Sequence, residues 1–183
     1  MTDFTSARVG IVFGTDTGNT EEMANRLATL FEQRGVVADL FNVTEASVAA
    51  LESFDLLVLG IPTWDFGGIQ CDWEDFEDQL RQARLQDTVV AMYGLGDQFG
   101  YGDYFVDALG WLNERVLACG AEVIGSWSTD GYEFTASRAA NADKTRFCGL
   151  AIDDDQQFEL TDERLARWVE QLVEEYEEVR AAV

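Results

Sequence analysis

Histidine is absent from the 183 residues, and lysine occurs once, at Lys144. Without imidazole the chain has no typical zinc site and no histidine-based acid–base catalysis, which removes many hydrolase mechanisms. Cysteine is scarce and odd in number: Cys71, Cys119 and Cys148 fit neither a C-x-x-C pair nor a metal-ligand spacing. They read as buried or idle thiols. No apolar run approaches the roughly 18–20 residues of a membrane span. Met1 to Ser6 carries neither a basic cluster nor an apolar stretch, so a secretory leader is not expected there. These absences predict a cytoplasmic protein outside the membrane. What the chain has in excess is negative charge: 35 Asp plus Glu against 12 Lys plus Arg, a net of −23. Such a field repels nucleic acid and anionic membrane surfaces and draws in partners with basic patches. Solubility, or adaptation to a salty cytoplasm, would leave the same composition. The length suits one domain, residues 1–183, with a proper core.

Short apolar runs alternate with helical patterns along the chain. Val9 to Phe13 reads as a buried parallel strand. Met23, Ala24, Leu27, Leu30 and Phe31 recur at helical spacing, and Gly35 stops that helix. Val36 to Phe41 is predicted as strand two, Val48 to Phe54 as a short helix, and Leu56 to Ile61 as strand three. Trp73, Phe76 and Leu80 mark a helix, Val89 to Tyr93 strand four, and Phe105, Leu109, Leu112 and Val116 another helix. Strand five begins at Val123 and resumes at Phe147 to Ile152, split by a polar insertion at about 128–146. Leu165, Trp168, Val169, Leu172 and Tyr176 stripe the last helix. Alternation of this kind predicts an α/β fold with a parallel sheet covered by helices on both faces. Ligands of such sheets bind beyond the carboxyl ends of the strands. Three loops leave those ends, 14–20, 62–70 and 94–104, and they are expected to converge.

The first loop, Gly14 through Thr15, Asp16, Thr17, Gly18, Asn19 and Thr20, sits between a strand and a helix. Successive N–H groups, hydroxyls and a helix N-terminus suit a phosphate. The loop lacks the G-K-[ST] ending of a nucleoside-triphosphate loop and the G-x-G-x-x-G of a dinucleotide fold, so a terminal monophosphate fits best. An ordinary capped helix start has the same composition. The second loop, Pro62, Thr63, Trp64, Asp65, Phe66, Gly67 and Gly68, places a tryptophan where the core is poorly reached. The third, Gly94 to Gly102, offers Leu95, Gly96, Asp97 and Tyr101 among glycines that permit close backbone approach. Two aromatic side chains on neighbouring loops can sandwich a planar ring. A ring at one end and a phosphate at the other describes flavin mononucleotide (FMN).

With these motifs the chain resembles the long-chain flavodoxins over nearly its whole length. Further matching stretches are Ser128 to Tyr132 and Gly149 to Asp153. Trp64-Asp65-Phe66-Gly67 with Tyr93 to Gln98 look most like the B-type branch of enteric bacteria. The resemblance implies a flavodoxin-like α/β/α sandwich with a five-stranded parallel sheet of order 2-1-3-4-5. It also implies an FMN site: residues 15–20 around the phosphate, Trp64 and Tyr101 flanking the ring, and Tyr104 nearby. The backbone of Asp65, Phe66 and Gly67 would lie near flavin N5, that of Gly96 and Asp97 near the pyrimidine edge, and Asp155 near the ribityl chain. Two departures stand out: Gly68 replaces a common acidic residue, and Asp65 stands where many members have Asn. The expected function is a low-potential one-electron carrier between an NADPH-dependent flavodoxin reductase, or a similar basic-patch redox protein, and acceptor enzymes. The carrier is expected to be a monomer. A flavodoxin-like NAD(P)H:quinone reductase is the alternative, although no second nucleotide site is visible. A phospho-acceptor receiver domain is disfavoured, because Gly14-Thr15 ends the first strand and Lys144 lies in the insertion.

Overall fold

Val9–Phe13 (β1) is buried along its whole length, as a strand flanked on both sides and covered on both faces must be. The computed structural model describes residues 3–183. After β1 come α1 (Asn19–Glu32), β2 (Asp39–Asn42), α2 (Val48–Leu51), β3 (Leu56–Trp64), β4 (Gly68–Ile69), α3 (Cys71–Leu80), β5 (Val89–Leu95) and α4 (Asp107–Ala118). The remainder is β6 (Glu122–Ile124), β7 (Trp127–Ser128), β8 (Arg146–Phe147), β9 (Leu150–Ile152) and α5 (Asp154–Ala181). Among the described residues no helix is long and apolar enough to cross a membrane.

The strands pair in the order β2-β1-β3-β5-β6. With β4 set aside as an antiparallel appendage of β3, this is the expected 2-1-3-4-5. The fifth strand is split as predicted. β6 pairs with Val89 to Ala91 of β5, and β9 takes over at Tyr93 to Leu95. α1 and α5 touch and so share one face of the sheet; the right-handed rule for parallel crossovers assigns α2, α3 and α4 to the other. Between these layers lie fully buried Ile11, Leu57, Val58, Val90 and Met92. Each such side chain withdrawn from water contributes roughly 1.5–3 kcal/mol.

The structure revises several boundaries. β2 starts at Asp39 rather than Val36, because Val36 turns into the core at 3% exposure while Val37 is 79% exposed. The short helix after it stops at Leu51 rather than Phe54. β3 runs three residues past Ile61, through Pro62, to Trp64. β1 ends opposite Gly60, so by Pro62 the strand has lost that neighbour and a missing N–H is tolerated. Phe147 belongs to the β7–β8 hairpin, paired with Trp127, rather than to the resumed fifth strand.

One buried contact fixes the sheet to the start of α1. The Tyr93 hydroxyl donates to the Thr20 carbonyl at 2.9 Å, and the hydroxyl end of the ring packs against Gly60. A Cβ at Gly60 would come within 2.1 Å of Tyr93 Cζ, so only glycine fits there. Tyr93→Phe removes this buried bond and leaves the Thr20 carbonyl to the ladder of α1 alone. The expected loss is about 1–2 kcal/mol of stability, read as a lower urea midpoint with an unchanged slope. An unaltered midpoint would show that the bond is replaced by water.

Candidate functional site

The first loop is built around glycine and threonine. The Gly14 N–H still donates to the Gly60 carbonyl at 3.2 Å. A Cβ on Gly14 would run into Gln70 Oε1 at 2.2 Å, so the chain can leave the sheet here only as glycine. The Thr15 hydroxyl accepts the Gly18 N–H at 2.9 Å. Gly18, at φ +90°, then opens α1, and no side chain caps its first turn. The N–H groups of that turn and the hydroxyls around it are therefore free for an acceptor. Gln70, itself buried, donates to Asp16 at 3.1 Å and ties the loop to the start of α3.

The second loop is a hairpin. Trp64 pairs with Gly68, and Thr63 with Ile69, across the turn Asp65-Phe66-Gly67. Asp65 (φ +42°) and Gly67 (φ +83°) both occupy the left-handed region. Asp tolerates this better than most residues, and Gly at no steric cost. The turn rests on the first turn of α4. Ala108 N–H donates to the Thr63 hydroxyl at 3.1 Å, and a Cβ on Gly67 would come within 2.9 Å of the Asp107 carboxylate.

The third loop is held by carboxylates. Asp153, fully buried, accepts the Gln98 N–H at 2.9 Å and the Gln98 side-chain amide at 2.8 Å. Gly96 N–H donates to the Ile152 carbonyl at 3.0 Å. Burial acts against the Asp97 carboxylate, but N–H donors from Gly100, the Gln156 amide and Phe99 outweigh it and hold the group below the usual carboxylate range. The Tyr101 hydroxyl donates to Asp65 at 3.3 Å, joining the second loop to the third. The negative charge of Asp65 and that hydrogen bond push the phenol above its ordinary value.

The three loops enclose a cleft of about 350 Å³, within the range of ligand sites. From the first loop Thr15, Asp16, Thr17, Asn19 and Thr20 line it; from the second, Pro62, Thr63, Trp64 and Asp65. The third contributes Leu95, Gly96, Asp97, Tyr101 and Tyr104, and the start of α5 adds Asp154 and Asp155. Trp64, Tyr101 and Tyr104 are each 37–39% exposed at the rim, so each has a face available for a planar ligand. Three residues expected at the site lie outside this lining. Gly18 is spent on the turn into α1, Gly67 faces Asp107 rather than the cleft, and Phe66 points outward at 77% exposure, edge-on to Tyr101 and Tyr104. Asp154 was not anticipated, although the carboxyl end of the split fifth strand pointed to that stretch.

No Lys or Arg is among the lining residues, whereas five aspartates are. Burial and the neighbouring charges of Asp97, Asp153 and Asp154 push the Asp155 carboxyl up. An anion bound at the threonine turn must therefore be held by neutral N–H and O–H donors. Hydroxyls and free helical N–H groups at one end, with half-exposed aromatic rings at the other, form a donor set that fits a phosphorylated planar molecule.

The flavodoxin family model matches residues 11–168. Flavodoxin 2 of Escherichia coli K12 is 44% identical over 170 residues, covering 93% of this chain and 97% of that protein. Flavodoxin 1 of the same strain is 46% identical over 170 residues, covering 92% and 94%. Among solved structures, Fusobacterium nucleatum flavodoxin bound to flavin mononucleotide superposes with a TM-score of 0.85 at 28% identity, over 92% of this chain and 98% of that one.

Beneath the 65–67 turn, burial pushes the Asp107 carboxyl above its ordinary range, against the pull of the Arg138 N–H at 2.8 Å and the Arg138 charge. A carboxyl whose folded value is raised loses stability as pH climbs from the unfolded value through the folded one, and the loss persists above it. Asp107→Asn is therefore expected to raise stability relative to the parent at pH 7. The gain should vanish by about pH 3, below the unfolded Asp value. Urea unfolding at both pH values reads this, and an equal effect at the two would discard the assignment.

Proposed function

We propose, from the premise that the chain belongs to the flavodoxin family, how its residues serve an FMN-based electron carrier. The protein is an electron-transfer flavoprotein and not an enzyme; its cofactor is FMN. The observation that carries the assignment of roles is a cleft at the sheet's carboxyl edge, with threonines at one end and aromatic rings at the other.

Bound FMN supplies a flat ring that takes up and releases electrons one at a time. In our reading Thr15, Thr17, Asn19 and Thr20, with the first N–H groups of α1, hold the phosphate. Trp64 and Tyr101 flank the ring, with Tyr104 at the rim. The backbone at Gly96 and Asp97 faces the pyrimidine edge, and Asp155 the ribityl chain. The Asp65 carbonyl is the proposed acceptor for a proton carried at N5. It lies in a turn whose last residue, Gly67, already sits at positive φ, so the turn can reorient cheaply. Phe66 serves the rim rather than the cavity.

The acidic lining makes an added electron costly. One unit charge at ~12 Å in an effective dielectric of ~20 costs about 1.4 kcal/mol, or roughly 60 mV for one electron. Asp16, Asp65, Asp97, Asp154 and Asp155 act together, so the carrier is proposed to be strongly reducing. The same charge steers partners. These are redox proteins with basic patches, such as an NADPH-dependent flavodoxin reductase and its acceptor enzymes, met by a monomer in the cytoplasm. The three cysteines are unpaired, which suits a reducing compartment.

Apoprotein titrated with FMN should bind one equivalent and quench flavin fluorescence; a colourless protein that refuses FMN would overturn the site. Trp64→Ala is expected to move the potential of the second one-electron couple upward, by on the order of 60 mV, in a spectroelectrochemical titration. No movement would remove stacking from the tuning. Association with a basic reductase should slow roughly tenfold or more between low and high salt in stopped-flow mixing. A salt-independent rate would rule out steering.

A further inference from the structure

Away from the cleft, the 126–132 segment and the middle of α5 enclose a second cavity of about 330 Å³ that shares no lining residue with the first. Trp127, Ser128, Asp130 and Gly131 form one wall, and Arg164 and Arg167 stand on the other. Arg164 is the unusual member. It is only 7% exposed, its guanidinium lies 4.1 Å over the Tyr132 ring, and it makes no ion pair among the described residues. Its Nη1 is one of two buried side-chain polar atoms there without a partner, the other being Gln157 Oε1. Arg115, only partly withdrawn from water at 20% side-chain exposure, pairs with Glu77 at 3.0 Å. The Tyr132 ring face supports the cation on one side, but no carboxylate pairs with it, and a donor such as Nη1 left unpaired in the interior is unfavourable. That it persists in a chain with 35 acidic residues is the signal.

We infer that Arg164, Arg167 and Ser128 form a binding site for a small oxyanion of the phosphate or sulfate class. The guanidinium presents a flat edge of N–H donors that matches an oxyanion better than a spherical ion. The Ser128 oxygen already accepts the Asp130 N–H at 3.1 Å, which leaves its proton to donate. Arg167 adds a second charge, seated 5.5 Å from the Trp127 ring. Its nearest carboxylate, Glu163, is 3.9 Å away and has a side chain 68% exposed. Asp130 is exposed as well. Neither acid pairs with Arg164, and both are free to turn outward when an anion enters. The overall negative charge weakens binding at long range, but salt screens that contribution more than it screens a buried contact.

The test uses the FMN-loaded protein, so that the threonine turn is already filled. Inorganic phosphate is titrated against sodium chloride at matched ionic strength, because a chain of net charge −23 is stabilised by any salt. The expected result is a saturable, phosphate-dependent shift of the Arg164 side-chain and Gly131 amide NMR signals. Arg164→Gln should weaken the binding at least tenfold, and Asp130→Asn with Glu163→Gln should tighten it. If Arg164→Gln does not fold, Arg167→Gln and Ser128→Ala take its place, each expected to weaken binding severalfold. Identical responses to phosphate and chloride, as an internal water at Nη1 would give, overturn the site. So does an Arg164→Gln protein that titrates like the parent. The flavin absorption band reports separately on the FMN cleft.

Discussion

A parallel sheet covered on both faces has no wet surface except its two ends, and that constraint decides where this protein can have a site. β1, β3 and β5 are buried almost from end to end, so the polar loops that leave them carry the chemistry. The buried bond from Tyr93 to the Thr20 carbonyl, with glycine at 60 making room for the ring, sets the height of the first loop relative to the other two. Asp153 does the same for the third loop through its two bonds to Gln98. The rigid parts of the cleft are thus anchored by groups that never face it.

The charge pattern follows a consistent division. Neutral donors face the cleft at the threonine turn, carboxylates surround them, and no cation lines the cavity. On the proposed roles, a lysine at the threonine turn would hold a bound phosphate more tightly but would also stabilise an added electron and raise the potential. Hydroxyls and helical N–H groups provide binding without that shift, because their dipoles act over a short range while a full charge acts across the whole cleft. In the proposed reading the carboxylates that make reduction costly also meet approaching partners, so tuning and steering draw on one set of groups.

Much of this arrangement was legible in the sequence where local signals were strong. The unbroken apolar run Val9 to Phe13, the helical stripe from Met23 to Phe31 and the split of strand five across a polar insertion carry their own periodicity. The convergence of three loops follows from strand alternation alone. The shortfalls have physical reasons. A strand reading stops at Pro62 by local propensity, yet β3 continues because its tip folds back as a hairpin with β4. Phe147 has the same apolar character whether it extends strand five or pairs with Trp127, and periodicity cannot separate the two. Phe66 and Gly67 flank cleft residues in sequence, but a three-residue turn in which Asp65 and Gly67 both take positive φ sends Phe66 outward and sets Gly67 on Asp107. The non-helical backbone at Gln157 inside α5 has no sequence signature at all.

The insertion is more than a tolerated loop, because its backbone is threaded into the rim. Thr135 and Ala136 N–H groups both donate to the Gly102 carbonyl, at 2.8 and 3.0 Å, and the Phe105 N–H returns a bond to Ala136. Glu133 N–H reaches the Gln98 side chain at 2.5 Å, and the Arg138 N–H reaches Asp107. Asp107 packs against Gly67. A glycine-rich loop such as 94–102 has high conformational entropy when free, and few of its own side chains are buried enough to hold it. Backbone bonds from the insertion make up that deficit on the outer side, as Asp153 does on the inner side. The third loop can therefore keep the glycines that allow close approach to a ligand while remaining ordered.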